Sequence, residues 1–474
     1  MPRPDHRSLW DLTAAAGLSP RRFLADHRGQ VGLASLDQAS LDQAGTFDRP
    51  LHRFQGQSVL IWSDRQMIFA LAVLQLDGIA ARVVLCPPDL SPAHLPDVLQ
   101  QARVDVIVCD AAPPIATAIP IVPCAIVPCA IVPCAPQPAQ TPHHHDRGTR
   151  TEWLLFTSGT TGRPKLVVHN LASLTGPLDD RLAVAQDTVW ATFYDVRRYG
   201  GLQILLRALL GGGSMVLSHH QEPVAAFLTR AGQCGVTHIS GTPSHWRRAL
   251  MTNAHRISPR YVRLSGEVAD QPILNQLSTA YPGATISHAF ASTEAGVAFD
   301  VSDGLAGFPA TLIGQPGAKA DLRVEHGSLR IRSARTASRY LGDQVTLADV
   351  DGFVDTGDIV ALRGDRYYFA GRREGVINVG GQKVHPEEVE AVISQHPAVQ
   401  IARVRGRPSP ITGTLVVADI VLRPQAAQHC FKTISAEILT SCKAALPAHK
   451  VPAMLRPVAG LDIAASGKLA RTDA

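Results

Sequence analysis

"WLLFTSGTTGRPKLVVHN", residues 153–170, sets two glycines, four hydroxyl side chains and a lysine between two apolar runs. A Walker-type phosphate loop needs G-x4-G-K-[ST] opening a helix whose N-terminus faces the phosphates. Here Gly159 and Gly162 stand too close together, and Arg163 and Pro164 separate Gly162 from Lys165. Leu166 occupies the place of the metal-binding hydroxyl, and "LVVHN" reads as a strand rather than a helix. The residue types still suit an anion. Glycines let the backbone approach it, the hydroxyls of Thr157, Ser158, Thr160 and Thr161 donate to it, and Lys165 supplies charge. A polar hairpin turn needs far less than this. The stretch reads as a mobile phosphate loop between two strands.

The flanking pattern sets the fold class. "QSVLIW" from Gln57, "ARVVLC" and "VDVIVCD" are strand-like runs alternating with helix-length segments such as "DRQMIFALAVLQLDG" and Ser91–Ala102. That alternation predicts an α/β fold, a parallel sheet with covering helices. More αβ units follow through Leu202–Leu210, "SMVL", "THISGTP" and "ATISHAF". From about Gly317 short β segments take over ("DLRVEHGSLRIRS", "GFVDTGDIVALRGDRYYFAGR"), predicting a β-rich subdomain. The section from Gly375 has its own strand–helix alternation and the size of a small α+β domain. The expected division is a large N-terminal domain, 1–372, and a small mobile C-terminal domain, 375–474. The segment 111–150, rich in Pro, Ala and His, reads as a long surface connection within the first.

Bulk properties exclude several classes. The chain has 474 residues, 45% hydrophobic and 18% charged, with 45 basic against 40 acidic side chains, and no block of like charge to hold nucleic acid. "MPRPDHRSLWDLTAAAGLSPRRFLADH" lacks the apolar stretch of a signal peptide. The apolar segment Ile115–Pro136 carries prolines at 120, 123, 128, 133 and 136, which break any membrane helix. A cytoplasmic protein without a transmembrane segment is expected. Three cysteines (Cys124, Cys129, Cys134) belong to the tandem pentapeptide IVPCA, whose spacing does not fit a metal site. His143-His144-His145-Asp146 reads as a solvated loop.

"FTSGTTGRPK" resembles the signature of the adenylate-forming superfamily, which includes acyl- and aryl-CoA synthetases, aryl-acid and amino-acid adenylation domains, and luciferase. Further motifs in order carry the same resemblance. "AFASTEAG" is similar to Y-G-x-T-E, which implies that Thr293 contacts the α-phosphate and Glu294 binds Mg2+, with Phe290, Ala291 and Ser292 beside the nucleotide. "SGE", with Gly266 and Glu267, resembles the segment on the other side of the base. "VDTGD" resembles the motif whose last Asp, here Asp358, holds the ribose hydroxyls, and Arg372 matches the ribose-contacting arginine. Glu374 stands at the family's interdomain hinge, Gly380 and Gly381 in its thiol-transfer loop, and "ASGKLAR" resembles the motif of the catalytic lysine, Lys468.

The resemblance implies a two-domain adenylate-forming fold and an ATP-dependent acid:AMP ligase. It would make an acyl-AMP from a small carboxylic acid with release of pyrophosphate, then load CoA or the phosphopantetheine of an acyl carrier protein. AMP is the nucleotide product. The residues depart from the family in places: Ala291 replaces the usual Gly, and "FYDVRRYGGLQ" puts Asp195, Arg197 and Arg198 where an aromatic or His is common. With Tyr194 and Gly241 these are candidate acid-pocket residues. Either the charges face the pocket, favouring a polar or aryl acid over a long fatty chain, or they pair or face solvent. Asp195 also echoes the amine-binding Asp of amino-acid adenylation domains. Amino-acid adenylation and fatty acyl-CoA or acyl-ACP synthesis are the alternatives.

Overall fold

The computed structural model describes residues 7–36, 47–124, 148–157, 165–176, 178, 187–252, 254–315, 320–342, 346–379, 382–409, 413–426, 428 and 430–462. In chain order, α1 (Leu9–Ala15), β1 (Phe23–Asp26) and β2 (Gly29–Gly32) lead into β3 (Ser58–Trp62), α2 (Gln66–Leu76), β4 (Arg82–Leu85), α3 (Leu95–Gln101), β5 (Val106–Cys109) and β6 (Ile121–Pro123). Next come β7 (Glu152–Thr157), β8 (Lys165–His169), α4 (Leu171–Thr175), β9 (Val189–Thr192), α5 (Tyr199–Leu210), β10 (Ser214–Leu217), α6 (Val224–Gln233), β11 (His238–Gly241) and α7 (Pro243–Met251). The unit closes with β12 (Tyr261–Ser265), α8 (Gln271–Ala280), β13 (Thr285–Ser292) and β14 (Gly296–Val301).

Two sheets dominate, and each is parallel at its centre as the αβ alternation predicts. In the first, β4, β3, β5 and β6 follow β7 in parallel, and β8 turns back antiparallel on β7. The second runs β13-β12-β11-β9-β10-β1 in parallel, with β14 and β2 antiparallel at its two edges. Helices α2 and α5 share one core with strands of both sheets and lie between them. Every residue of α2 is buried, as a helix enclosed on all sides requires. The outer face of the first sheet packs on α3, and that of the second on α6, α7 and α8.

One strand comes from the segment expected as a surface connection. Ile121–Pro123, the start of the first IVPCA repeat, forms β6 at a sheet edge, where Pro123 costs no ladder hydrogen bond. Cys124 beside it is buried and bridges to Phe47. The other two repeats lie outside the described residues.

A third sheet contains β15 (Phe308–Pro309), β16 (Asp321–Glu325), β17 (Ser328–Arg332), β19 (Val354–Arg363) and β20 (Arg366–Arg372), while β18 (Arg339–Tyr340) joins the first sheet against β8. The remaining elements are the hairpin β21 (Ile377–Val379) and β22 (Gln382–Val384), α9 (Pro386–Ile393), β23 (Val399–Ser409), β24 (Gly413–Leu422), α10 (Phe431–Ala445) and β25 (Met454–Pro457). Their buried side chains form a core drawn entirely from residues 377–455. No helix among the described residues is long and apolar enough to cross a membrane.

A buried arginine ties the ends of two helices together. Arg22 is almost fully enclosed, and its Nε donates to Gly213 O at 3.0 Å while Nη2 donates to Leu209 O at 2.6 Å. Its Nη1 donates to the Gly17 carbonyl just past α1. The guanidinium therefore satisfies carbonyls at helix C-termini, where the backbone dipoles favour a cation. Burial draws its pKa down to about 10, so it stays charged at neutral pH. Arg22→Met should destabilise the protein by about 3 kcal/mol in chemical denaturation, because buried carbonyls lose their donors. Arg22→Lys should recover only part of this, since an ammonium cannot reproduce the fork. An Arg22→Met midpoint equal to wild type would contradict the assignment.

Candidate active site

The phosphate-loop hairpin sits at the edge of the first sheet, with Thr157 opposite Lys165 in the β7–β8 register. Ser158, Gly159, Thr160, Thr161 and Gly162 lie outside the described residues, so only the two ends of the loop are placed. Lys165 Nζ lies 5.3 Å from the ring centroid of Tyr340, which β18 brings alongside β8. The Tyr340 hydroxyl donates to Glu294 Oε1 at 3.3 Å. Tyr340 thus links the loop lysine to the acidic motif. A lone tyrosine in "SRYLGD" has no spacing signal, so sequence reasoning does not find it.

Thr293 and Glu294 occupy the tight turn between β13 and β14. The Ser292 hydroxyl accepts from Ala295 N at 2.9 Å, and the turn ends at Gly296 with φ of 80°. Glycine is required there twice over: the dihedral is left-handed, and a Cβ would approach the Arg335 Cβ to 2.7 Å. A register shift between Phe290 and Ala291 re-aims the strand just before the turn. The turn is anchored from the first sheet, where His169 at the end of β8 bonds through Nε2 to the Thr293 carbonyl at 2.7 Å. The carbonyl accepts, so Nε2 carries the proton and Nδ1 faces the Ser173 hydroxyl at 2.9 Å.

The nucleoside residues lie across β13, β19 and β20. Phe290 stacks on Phe369 (5.0 Å between centroids, 15° between planes) and on Phe299, and it keeps part of its surface exposed. Asp358 and Arg372 are cross-strand partners on β19 and β20, with Arg372 Nε 3.5 Å from Asp358 Oδ1. Arg372 Nη2 also donates to Thr356 O at 2.9 Å. The pair remains accessible, with 49% of the Arg372 side chain exposed, and offers an acceptor and a donor side by side, as vicinal hydroxyls require. Gly266 ends β12 with φ of 85°. The Glu267 carboxylate accepts from Ser244 N at 2.8 Å and from its hydroxyl at 3.0 Å, so it caps α7.

The charges proposed for the acid pocket pair with each other. Arg197 donates to both oxygens of Asp195, at 2.7 and 2.5 Å, and to the Ser63 carbonyl. Both side chains are buried, and the Arg197 charge holds the Asp195 carboxyl below the usual range against the cost of burial. Arg198 pairs with Asp89 at 2.5 Å. Of the two readings left open by the residues, pairing is the one the structure contains, and these side chains are not free to meet a ligand. Tyr194 is buried, with its hydroxyl donating to Ser265 O at 2.7 Å. Gly241 makes room for Phe193, whose Cδ2 a Cβ would meet at 2.7 Å. Glu374 falls in a short 3-10 turn after β20, its side chain outside the described residues, as are Gly380, Gly381 and Lys468. Among the described residues no group of three or more His, Cys, Asp or Glu side chains is placed to hold a metal.

Contacts join Lys165 to Tyr340 and Tyr340 to Glu294, while Phe290, on the strand that leads into the Thr293–Glu294 turn, stacks on Phe369 of β20, the strand that also carries Arg372 beside Asp358. The AMP-binding enzyme family pattern matches residues 24–340, and that of the AMP-binding enzyme C-terminal domain matches 388–468. The chain belongs to the AMP-binding enzymes. A curated relative of this enzyme is a 2-succinylbenzoate–CoA ligase of Listeria monocytogenes serotype 4b (strain F2365), 28% identical over 341 residues, which are 68% of this chain and 69% of that one. Among solved structures, a benzoate CoA ligase from Burkholderia xenovorans LB400 superposes with a TM-score of 0.77 at 20% identity, over 98% of this chain and 99% of that one. The anthranilate CoA ligase AuaEII, solved with anthranoyl-AMP, gives a TM-score of 0.76 at 18% identity, over 98% and 96%. At these identities the structures establish the shared fold.

Burial pushes the His169 pKa down from 6.5 to about 4, with the Thr293 bond opposing it. The sign follows directly. Between these values the unfolded chain binds a proton that the folded chain does not, so stability present above pH 6.5 is lost as pH falls toward 4. The shift corresponds to about 3 kcal/mol. His169→Leu should flatten this part of the pH–stability curve, measured by urea denaturation between pH 4 and 7. A variant curve as steep as wild type would show that another group titrates there.

Proposed function

We propose that this AMP-binding enzyme activates a small aryl or otherwise polar carboxylic acid with ATP and passes the acyl group to a thiol. At the coarser level it is an AMP-forming acid–thiol ligase of the acyl-CoA synthetase kind. The observation that supports the site assignment is the pair of contacts Lys165–Tyr340 and Tyr340–Glu294, with Phe290, on the strand that leads to Glu294, stacked on Phe369 of the strand that carries Arg372. The thiol of CoA is the acceptor that fits the relatives' names, and a carrier-protein phosphopantetheine presents the same group.

The chemistry follows from these residues. A carboxylate oxygen attacks the α-phosphorus, the bond to the bridging oxygen breaks, and pyrophosphate leaves with that electron pair. The obstacle is charge, since an anion must approach a polyanion. Lys165 faces the pyrophosphate, and Lys468 bridges the acid carboxylate and the α-phosphate. Asp358 and Arg372 hold the ribose, and Phe290 with the Gly266–Glu267 backbone flanks the base. These contacts position the reactants and offset charge, with no general base needed. The Glu294 carboxylate is half-buried and, among the described residues, receives one hydrogen bond, from a neutral phenol, and no ion pair. It therefore suits a hard cation such as Mg2+. That ion, when bound, neutralises charge on the phosphate oxygens. In the second step the thiol sulfur attacks the acyl carbon, its proton is released, and AMP departs.

Lys468 must leave before the thiol arrives, and we place the pivot at Glu374, between units 1–372 and 375–474. The separate hydrophobic core of 377–455 supports a C-terminal unit that moves as a body. Amino-acid adenylation loses its support, because Asp195 is engaged by Arg197 rather than held for an amine.

Lys468→Ala should reduce pyrophosphate release from acid plus ATP by at least about 100-fold. The same variant should still convert supplied acyl-adenylate to thioester with CoA at a rate within a few-fold of wild type. Equal loss of both half-reactions would overturn the role given to Lys468, and no pyrophosphate from any acid in a broad panel would overturn the ligase reading.

A further inference from the structure

Lys165 and Glu294 carry opposite charges on neighbouring elements, and the proposed reaction needs both charges unspent: the lysine for pyrophosphate oxygens, the carboxylate for a hard cation. A direct ion pair between them would commit each to the other and weaken the hold of both on their ligands. Among the described residues neither side chain enters an ion pair, and the group that touches both is Tyr340. Its ring takes the Lys165 ammonium at 5.3 Å from the centroid, and its hydroxyl donates to Glu294 Oε1 at 3.3 Å. Neither contact cancels a charge. An aromatic face attracts a cation through its quadrupole without a formal charge of its own, and a phenol stays neutral at physiological pH. Lys165 is exposed and Glu294 half-buried, so each remains within reach of a ligand.

The backbone fixes this arrangement without help from the phenol. Lys165 and Val167 lie two apart on β8 and so share a face, and Tyr340 on β18 is the partner of Val167, which sets its ring diagonal to Lys165. Hydrogen bonds flank the tyrosine on both sides, from Ser338 N to Val168 O and from Leu341 N to Leu166 O, each 2.8 Å. Ala337 N donates to the Glu294 carbonyl, also at 2.8 Å, so one short segment is pinned both to the lysine strand and to the acidic turn. Arg339, the neighbouring cation, is taken up by Glu152 at 2.7 Å and does not compete for Glu294.

We propose that Tyr340 is a positioning residue: it stands between the loop lysine and the acidic motif as a neutral spacer, so that each charge reaches the ATP site uncancelled. Such a spacer releases its partners easily. The ammonium leaves an aromatic face for phosphate oxygens without breaking a salt bridge, and the carboxylate leaves a phenol for a cation in the same way. This rests on the ligase reading, which gives Lys165 to pyrophosphate and Glu294 to the cation.

The test is calorimetric titration of ATP into the full chain, without acid, in EDTA and again with Mg2+. Tyr340→Leu removes the ring and lets Lys165 and Glu294 pair. Metal-free ATP binding should then weaken about fivefold, and the tightening brought by Mg2+ should shrink by a similar factor. Adding Glu294→Gln should undo the metal-free loss: its gain in the Tyr340→Leu background should exceed its gain in wild type by about fivefold, the coupling of a double-mutant cycle. Tyr340→Phe keeps the ring, and Glu294→Gln should gain no more there than in wild type. Equal gains in the wild-type, Phe and Leu backgrounds would mark Tyr340 as merely structural and overturn the inference. If Tyr340→Leu fails to fold, Tyr340→Met carries the same cycle, since its flexible chain fills the space without an aromatic face. ATP affinity unaltered by Lys165→Met in every background would instead sink the assignment of Lys165 on which the inference rests.

Discussion

The His169–Thr293 hydrogen bond is the constraint on which the site depends. His169 ends β8 of one sheet, and Thr293 lies in the β13–β14 turn of the other. Together with the bonds from Ala337 N to Glu294 O and from Ser338 N to Val168 O, both 2.8 Å, the His169–Thr293 bond ties the phosphate hairpin to the acidic turn. Because the imidazole is buried and bonds a carbonyl, it must stay neutral, with its proton on Nε2. The opposite strand of the hairpin is held as firmly. Asp77 at the end of α2 accepts from Trp153 Nε1 at 2.8 Å and from Leu9 N at 2.7 Å, tying β7 to the core beneath it. Both strands that flank the loop are therefore anchored.

A buried pair near α5 shows how enclosed charges serve structure rather than chemistry. Asp195 and Arg197 are enclosed, but every strong donor and acceptor in the pair is used, including the bond to the Ser63 carbonyl. Such a pair locks the entry to α5 and asks nothing of a ligand. Electrostatic cost in a low-dielectric interior is set by net charge and unmet hydrogen bonds, not by the number of ions.

Much of this was legible in the sequence. The αβ alternation predicts the parallel sheets, and the strand-like "LVVHN" predicts a loop between two strands rather than a strand–helix turn, as the β7–β8 pairing bears out. The motifs at Thr293, Asp358 and Arg372 stood out by their resemblance to those of the adenylate-forming superfamily, because each is a short run of neighbouring residues. Tyr340 and His169 did not, since each acts through a neighbour more than a hundred residues away or across a sheet. The acid pocket misled in the same way. Asp195 and Arg197 stand out as charges in an apolar context, and only their mutual contact shows that they cancel.

The sequence by itself determined which segments become strands and helices and which short motifs resemble those of the AMP-binding enzymes, because periodicity and local residue types are properties of neighbouring positions. Only the tertiary structure decided that Asp195 pairs with Arg197, that Asp358 faces Arg372 across two strands, and that Tyr340 joins Lys165 to Glu294. The physical reason is that pairing, burial and net charge depend on distances through space, and a linear pattern of residue types does not encode those distances.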